Sequence, residues 1–110
     1  MYTEESVNNL FGVLADPTRR RIVEMLSNGR ALTVSGITGE FGMSRQAVTK
    51  HLGLLCEAGL IDFERQGRDR LNRLRPGALD PLLAWTRYYS VFWEGRLEAL
   101  KQQVEGGNAT

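Results

Sequence analysis

Apolar positions along the chain fall into helical stripes interrupted once by a stretch of period two. Val7, Leu10, Phe11 and Leu14 recur at spacings of three and four, which predicts an amphipathic helix over about 4–15, closed by Asp16-Pro17. Asp16 is placed to cap a second helix with Pro17 at its first position, where a missing amide proton costs nothing. Ile22, Val23, Met25 and Leu26 form its apolar side, and Asn28-Gly29 ends it. Thr33 is the expected cap of a short third helix with Val34, Ile37 and Phe41 inward. Gly36 and Gly39 inside it each weaken it by about 1 kcal/mol relative to alanine, so packing must hold it. Gly42 turns the chain into a fourth helix that has a start, a stripe and a stop: Ser44, then Val48, Leu52 and Leu55, then Gly59.

After Gly59 the period falls to two. Ile61, Phe63 and Arg65 alternate with Asp62 and Glu64, Gln66-Gly67-Arg68-Asp69 reads as a turn, and Arg70 to Arg75 returns, which predicts a β-hairpin. Asp80-Pro81 repeats the cap signal and opens a long last helix over about 80–104, in which Leu82, Trp85, Tyr89, Phe92, Trp93, Leu97, Leu100 and Val104 keep helical spacing. Residues 105–110 read as a frayed end. The order of elements is mainly α: about five helices and one β-hairpin wing, a winged helix-turn-helix with the helix-turn-helix at about 33–58 and the wing at about 60–75.

Size changes the reading of the terminal helices. A chain of 110 residues suits one domain, 1–110, with a modest core, and little of that core is left to cover both terminal helices. Exposed aromatics there would form a large apolar patch, so Val7, Leu10, Phe11, Trp85, Tyr89, Phe92, Trp93, Leu97 and Leu100 are read as a homodimer interface. The competing reading makes Trp85, Tyr88, Tyr89 and Trp93 the lining of a small-molecule pocket.

Charge changes the reading of the middle. The formal net charge is only +1, but residues 1–16 hold three acids and no base, while 44–75 hold seven bases and four acids. A basic centre between acidic ends suits a polyanion partner. Ser44, Arg45, Gln46, Thr49 and Lys50 crowd the first two turns of the fourth helix, where a recognition helix meets bases and phosphates. Arg65, Arg68 and Arg70, with Arg73 and Arg75, concentrate charge on the hairpin, within reach of backbone phosphates or a minor groove. Arg19, Arg20 and Arg21 are divided between solvent and phosphate. A solvated polar face looks the same in one helix alone; the neighbouring wing favours DNA.

The single cysteine, Cys56, cannot form a disulfide within the chain, and the acidic start precedes no apolar run of the roughly 20 residues that cross a bilayer, so a cytoplasmic protein is expected. Cys56, late in its helix, reads as a buried thiol, and His51 as either packed or touching phosphate. No paired carboxylates, phosphate-cradling glycine loop or nucleophile constellation supports an enzyme, and no cofactor or metal is expected.

Three segments carry a resemblance. Leu14-Ala-Asp-Pro-Thr-Arg-Arg-Arg-Ile-Val-Glu-Met-Leu26, Met43-Ser-Arg-Gln-Ala-Val-Thr-Lys-His-Leu-Gly-Leu-Leu-Cys-Glu-Ala-Gly-Leu60 and Phe92-Trp-Glu-Gly-Arg-Leu97 resemble the ArsR/SmtB family of bacterial transcriptional regulators over about residues 7 to 101. The resemblance implies a homodimer that binds an inverted repeat and represses transcription, with Ser44, Arg45, Gln46, Thr49 and Lys50 on the major groove and Arg65, Arg68 and Arg70 in the wing. Metal-sensing members place a cysteine pair at the third helix or His, Asp and Glu ligands on the last. Here 32–39 holds no cysteine and 79–110 no histidine, which points away from that branch. Where relatives often carry an acid near the start of the third helix this chain has Gly36, so Thr33 lacks a capping-box partner. The rival functional class is a winged helix used for protein interaction or ligand sensing without DNA, which would not need the basic wing, Arg45 or Lys50.

Overall fold

The computed structural model describes residues 3–108, less the side chains of residues 92, 93 and 105–108. Helix α1 (Glu4–Leu14) is capped by Thr3, whose hydroxyl accepts from the Ser6 amide, and α2 (Pro17–Met25) by Asp16, which accepts from the Arg19 amide at 3.0 Å. A single 3-10 turn at Ser27–Gly29 follows, and positive φ at Asn28 (65°) and Gly29 (74°) breaks the helical path there and redirects the chain. Strand β1 (Ala31–Thr33), α3 (Val34–Thr38) and α4 (Arg45–Glu57) come next, then β2 (Ile61–Gln66), β3 (Asp69–Leu74) and α5 (Asp80–Asn108). The strands form one antiparallel sheet in the order β1-β3-β2.

Local signals account for α4 in full. Ser44 Oγ accepts from the Ala47 amide at 3.1 Å, and Val48, Leu52 and Leu55 are buried along one face. At its end Gly59 (φ 78°) bonds back to the Cys56 carbonyl and Leu60 to the Leu55 carbonyl, both at 3.0 Å. That pair is a Schellman stop, and the two apolar positions that accompany it, Leu55 and Leu60, are both fully buried in the same core cluster. The core joins them with Ile22, Leu26, Ile37 and Val48, and Leu82 packs against it from the first turn of α5.

Four expectations are corrected. A third strand exists: Ala31, Leu32 and Thr33 pair with Arg73, Asn72 and Leu71, so the wing is anchored to the body by its own sheet. Buried Asn72 donates to the Leu32 carbonyl across that pairing. Helix α3 is only five residues long, because Gly39 caps it before Phe41. Helix α5 begins at Asp80 itself, the expected cap, and runs through Gly106 and Gly107 to Asn108 where fraying was expected. Arg19 and Arg20, read as divided between solvent and phosphate, are partly committed to backbone carbonyls. Arg19 Nε donates to the Val13 carbonyl at 2.6 Å, and Arg20 Nη1 to those of Leu14 (2.6 Å) and Ala15 (3.0 Å). They satisfy the orphan carbonyls at the end of α1, where cations also favour the helix dipole. Arg21 pairs with Glu24.

The terminal helices divide the expected interface residues. Leu10 is 4% exposed inside the protomer's own core, and Val7 is also buried, so neither lies on the open face. Their positions on α1 point them at neighbouring elements of the same chain. Phe11, Trp85, Tyr89, Leu97 and Leu100 are exposed, while Phe92 and Trp93 lie outside the described side chains. Phe11 meets Trp85 edge to face at 5.0 Å, joining α1 to α5. Beyond that contact α5 leaves the body: the long axis of the molecule is 71 Å against 31 and 22 Å. The radius of gyration is 19.4 Å, where a compact chain of this length has about 13 Å. Among the described residues no helix is long and apolar enough to cross a membrane.

Candidate nucleic-acid interface

The first two turns of α4 present Arg45, Gln46 and Lys50 to solvent, with Thr49 partly covered beside them and Ser44 exposed at the cap. Helical spacing makes two parallel rows of these, Arg45 with Thr49 and Gln46 with Lys50, which is the surface a major groove would read. Ser44 Oγ is occupied as an acceptor by the cap, so its own proton remains to donate outward.

The wing has two unlike faces. On one, Arg73 donates to Glu64 at 2.8 Å and lies 3.9 Å from Asp62, so its charge is locally balanced. On the other, Arg65 stands directly opposite Arg70 in the β2–β3 register. Arg70 stacks its guanidinium 4.5 Å from the Phe63 ring centre, and neither arginine has an ion-pair partner among the described residues. Gly67 (φ 61°) and Arg68 make the two-residue tip, where glycine supplies the positive φ that such hairpins require. Arg68 is exposed there.

One residue joins wing and helix-turn-helix, and composition gave no hint of it. Asp69, first in β3, accepts from the Val34 amide (3.1 Å), the Ser35 amide (3.4 Å), Ser35 Oγ (2.7 Å), its neighbour Arg70's amide (2.8 Å) and Arg45 Nη2 (3.2 Å). Arg45 Nη1 also donates to Ser35 Oγ at 2.7 Å. The carboxylate therefore closes the start of α3, where a capping-box acid is missing, and ties it to the first turn of α4. The Ser35 hydroxyl bond, with the amides of Arg70 and Ser35 and the Arg45 charge, holds its pKa down to about 2. Arg45, expected on the major groove, is also bridged within the protomer and stays half exposed. Aspartate in a turn is too common to signal such a role.

His51 and Cys56 sit on other faces. His51 Nδ1 lies 3.3 Å from Arg19 Nη1 and 3.9 Å from Asp16 Oδ2, so the imidazole is packed at the start of α2. The Arg19 amide chiefly, with the charges of His51 and Arg19, keeps the Asp16 carboxyl below its ordinary value. Cys56 is partly buried against the core, not fully as expected, and burial pushes its thiol pKa up.

The profile of a helix-turn-helix domain family matches residues 14–62. The transcriptional repressor SdpR of Bacillus subtilis is 32% identical over 79 residues, covering 72% of this chain and 87% of that repressor. A crystal structure of an ArsR-family transcriptional regulator superposes with a TM-score of 0.76 at 33% identity, over 84% of this chain and 95% of the other. The chain belongs to the ArsR family. Within it, the arsenical resistance operon repressor of Escherichia coli is 39% identical over 67 residues, 61% of this chain and 57% of that repressor.

For an ArsR-family regulator the donor set here is thin. The chain has one histidine and one cysteine, on the same helix five positions apart, and the histidine is already engaged. Among the described residues no three His, Cys, Asp or Glu side chains come together to hold a metal ion. These residues do not fit a thiolate or imidazole centre built within one protomer.

Proposed function

We propose that this ArsR-family chain is a homodimeric repressor that binds an inverted-repeat operator and does not need a metal to release it. Ser44, Arg45, Gln46, Thr49 and Lys50 enter the major groove, and Arg65, Arg68 and Arg70 grip the flanking backbone. The observation that carries this reading is the bridge from Arg45 to Asp69, because Asp69 adjoins the wing tip. It ties the exposed start of α4 to the strand that leaves the wing tip, so the charges of the tip and of that helix add to one field toward a polyanion.

The second copy is suggested by α5, whose Leu97 and Leu100 are 61% and 56% exposed and lie three residues apart on one stripe. A two-fold pair of α5 helices buries that stripe and presents two recognition helices to half-sites about one DNA turn, or 34 Å, apart.

Fluorescence anisotropy on the DNA upstream of the protein's own gene, against a scrambled duplex and between about 50 and 200 mM salt, tests the reading. Preference for the upstream duplex, two chains per site and no effect of zinc or a chelator are expected. Equal binding to both duplexes at every salt concentration would leave an interaction module as the better account, and zinc-dependent release would restore metal sensing.

A further inference from the structure

Base-reading arginines work best when the fork is already held in place, because an unrestrained side chain loses rotamer freedom on binding. In this chain the fork is held from outside its own helix. Arg45 Nη2 donates to Asp69 Oδ1 at 3.2 Å, Nη1 to Ser35 Oγ at 2.7 Å, and Ser35 Oγ donates in turn to Asp69 Oδ2 at 2.7 Å. The three residues come from β3, α3 and α4 and form a closed ring of hydrogen bonds. A guanidinium has five N–H donors, and the ring uses two, so the others remain to face a base or phosphate. The Arg45 side chain is half exposed while that of Asp69 is 22% exposed, so the acid lies behind the base.

We propose that Asp69 is a positioning residue for DNA recognition: it fixes the Arg45 fork, through itself and through Ser35, in the orientation that reads the operator, and it locks the wing to the recognition helix in the same contact. The inference rests on the DNA-binding reading above and adds to it a source of specificity in a residue that touches no DNA. A carboxylate beside a DNA-facing surface otherwise only repels phosphate. Its presence there gives sequence preference at the expense of general affinity.

Two consequences separate this role from simple support of the fold. Replacing Asp69 by Asn keeps the side-chain shape but removes the charge that draws the fork in. The preference of the Asp69→Asn variant for the operator over a shuffled duplex therefore falls by about tenfold, the scale of one bidentate contact, while its affinity for the shuffled duplex stays level or rises with the removal of a negative charge. Secondly, the loss depends on Arg45: once Arg45→Ala is in place, adding Asp69→Asn changes the preference no further.

The experiment uses the whole chain and the duplex that the parent protein enriches from a random-sequence pool, with a shuffled version as control. The four proteins of the Arg45→Ala and Asp69→Asn cycle are compared by anisotropy, and circular dichroism verifies that each is folded. Ser35→Ala, which removes the middle of the ring while leaving charge unchanged, is measured beside them and is expected to lose part of the preference. A nonadditive cycle with the loss confined to the specific term supports the proposal. An unchanged preference in Asp69→Asn, or an equal loss with and without Arg45, overturns it and leaves the repressor reading standing. A parent protein that enriches no duplex removes the repressor reading, and the positioning role with it.

Discussion

Arg65 and Arg70 stand directly opposite each other across the β2–β3 ladder, a like-charged cross-strand pair with no acid bridged to either among the described residues. Such pairs weaken a sheet, so without DNA this juxtaposition is a cost that a phosphate between the two strands removes. Arg65→Ala is therefore expected to act with opposite signs on folding and on binding. In urea unfolding the variant gains about 0.5 kcal/mol. On DNA it weakens every duplex alike, and the slope of log affinity against log salt shrinks by about 0.9, the share of one neutralised phosphate. Arg70→Ala gives no such gain in stability, because it also removes the stacking on Phe63.

Acid should act on the wing anchor through Asp69. Its carboxyl titrates at about 2 in the fold against an ordinary value of 3.8. A depressed folded value means that the unfolded chain takes up the proton first on acidification. The stabilisation is thus fully present above about pH 4 and is lost as pH falls toward 2. Asp69→Asn is expected to be less stable than the parent at neutral pH, with the gap closing across that window. Urea midpoints of both proteins at several pH values check it; a gap constant down to pH 2 would show that the difference does not come from ionisation of Asp69.

The parts of this fold that could be read from the chain are those with local causes. Ser44, the Val48–Leu52–Leu55 stripe and Gly59 each act within one or two turns, and together they bound α4. Strand β1 has three residues and no alternation to detect; it is a strand because Asn72 and its neighbours lie beside it some forty positions later. Asp69 was hidden for a related reason, since its partners Ser35 and Arg45 are 34 and 24 residues away. Likewise helical periodicity finds the stripe that holds Leu10 and Phe11 but not which of the two faces the core, a matter decided by where α2 and α5 pack.

Ser44 combines two tasks that substitution can part. As N-cap it satisfies the Ala47 amide, and Ser44→Ala is expected to cost about 1 kcal/mol of stability. Aspartate caps equally well and suits the positive end of a helix dipole. Ser44→Asp should therefore keep the parent's melting temperature while placing a negative charge against the phosphates, weakening DNA binding more than Ser44→Ala does. Thermal unfolding and anisotropy on the two variants give the comparison, and equal binding by both would place Ser44 away from the DNA.

Leu10 and Leu100 separate folding from assembly. Leu10 is buried in the protomer, so Leu10→Ala removes packing and leaves a cavity, at a cost of roughly 3 kcal/mol that does not depend on protein concentration. Leu100 is 56% exposed on the part of α5 that projects from the body, so Leu100→Asp costs the isolated protomer little. Its effect should appear in association: sedimentation of the parent is expected to give two chains per particle, and that of Leu100→Asp one at the same concentration. Because dimer stability is coupled to mass action, the parent's melting temperature should also rise with concentration and that of Leu100→Asp should not. A Leu100→Asp protein that remains dimeric would move the interface off this stripe, toward Phe11 and Trp85, whose edge-to-face contact leaves both rings 40% or more exposed.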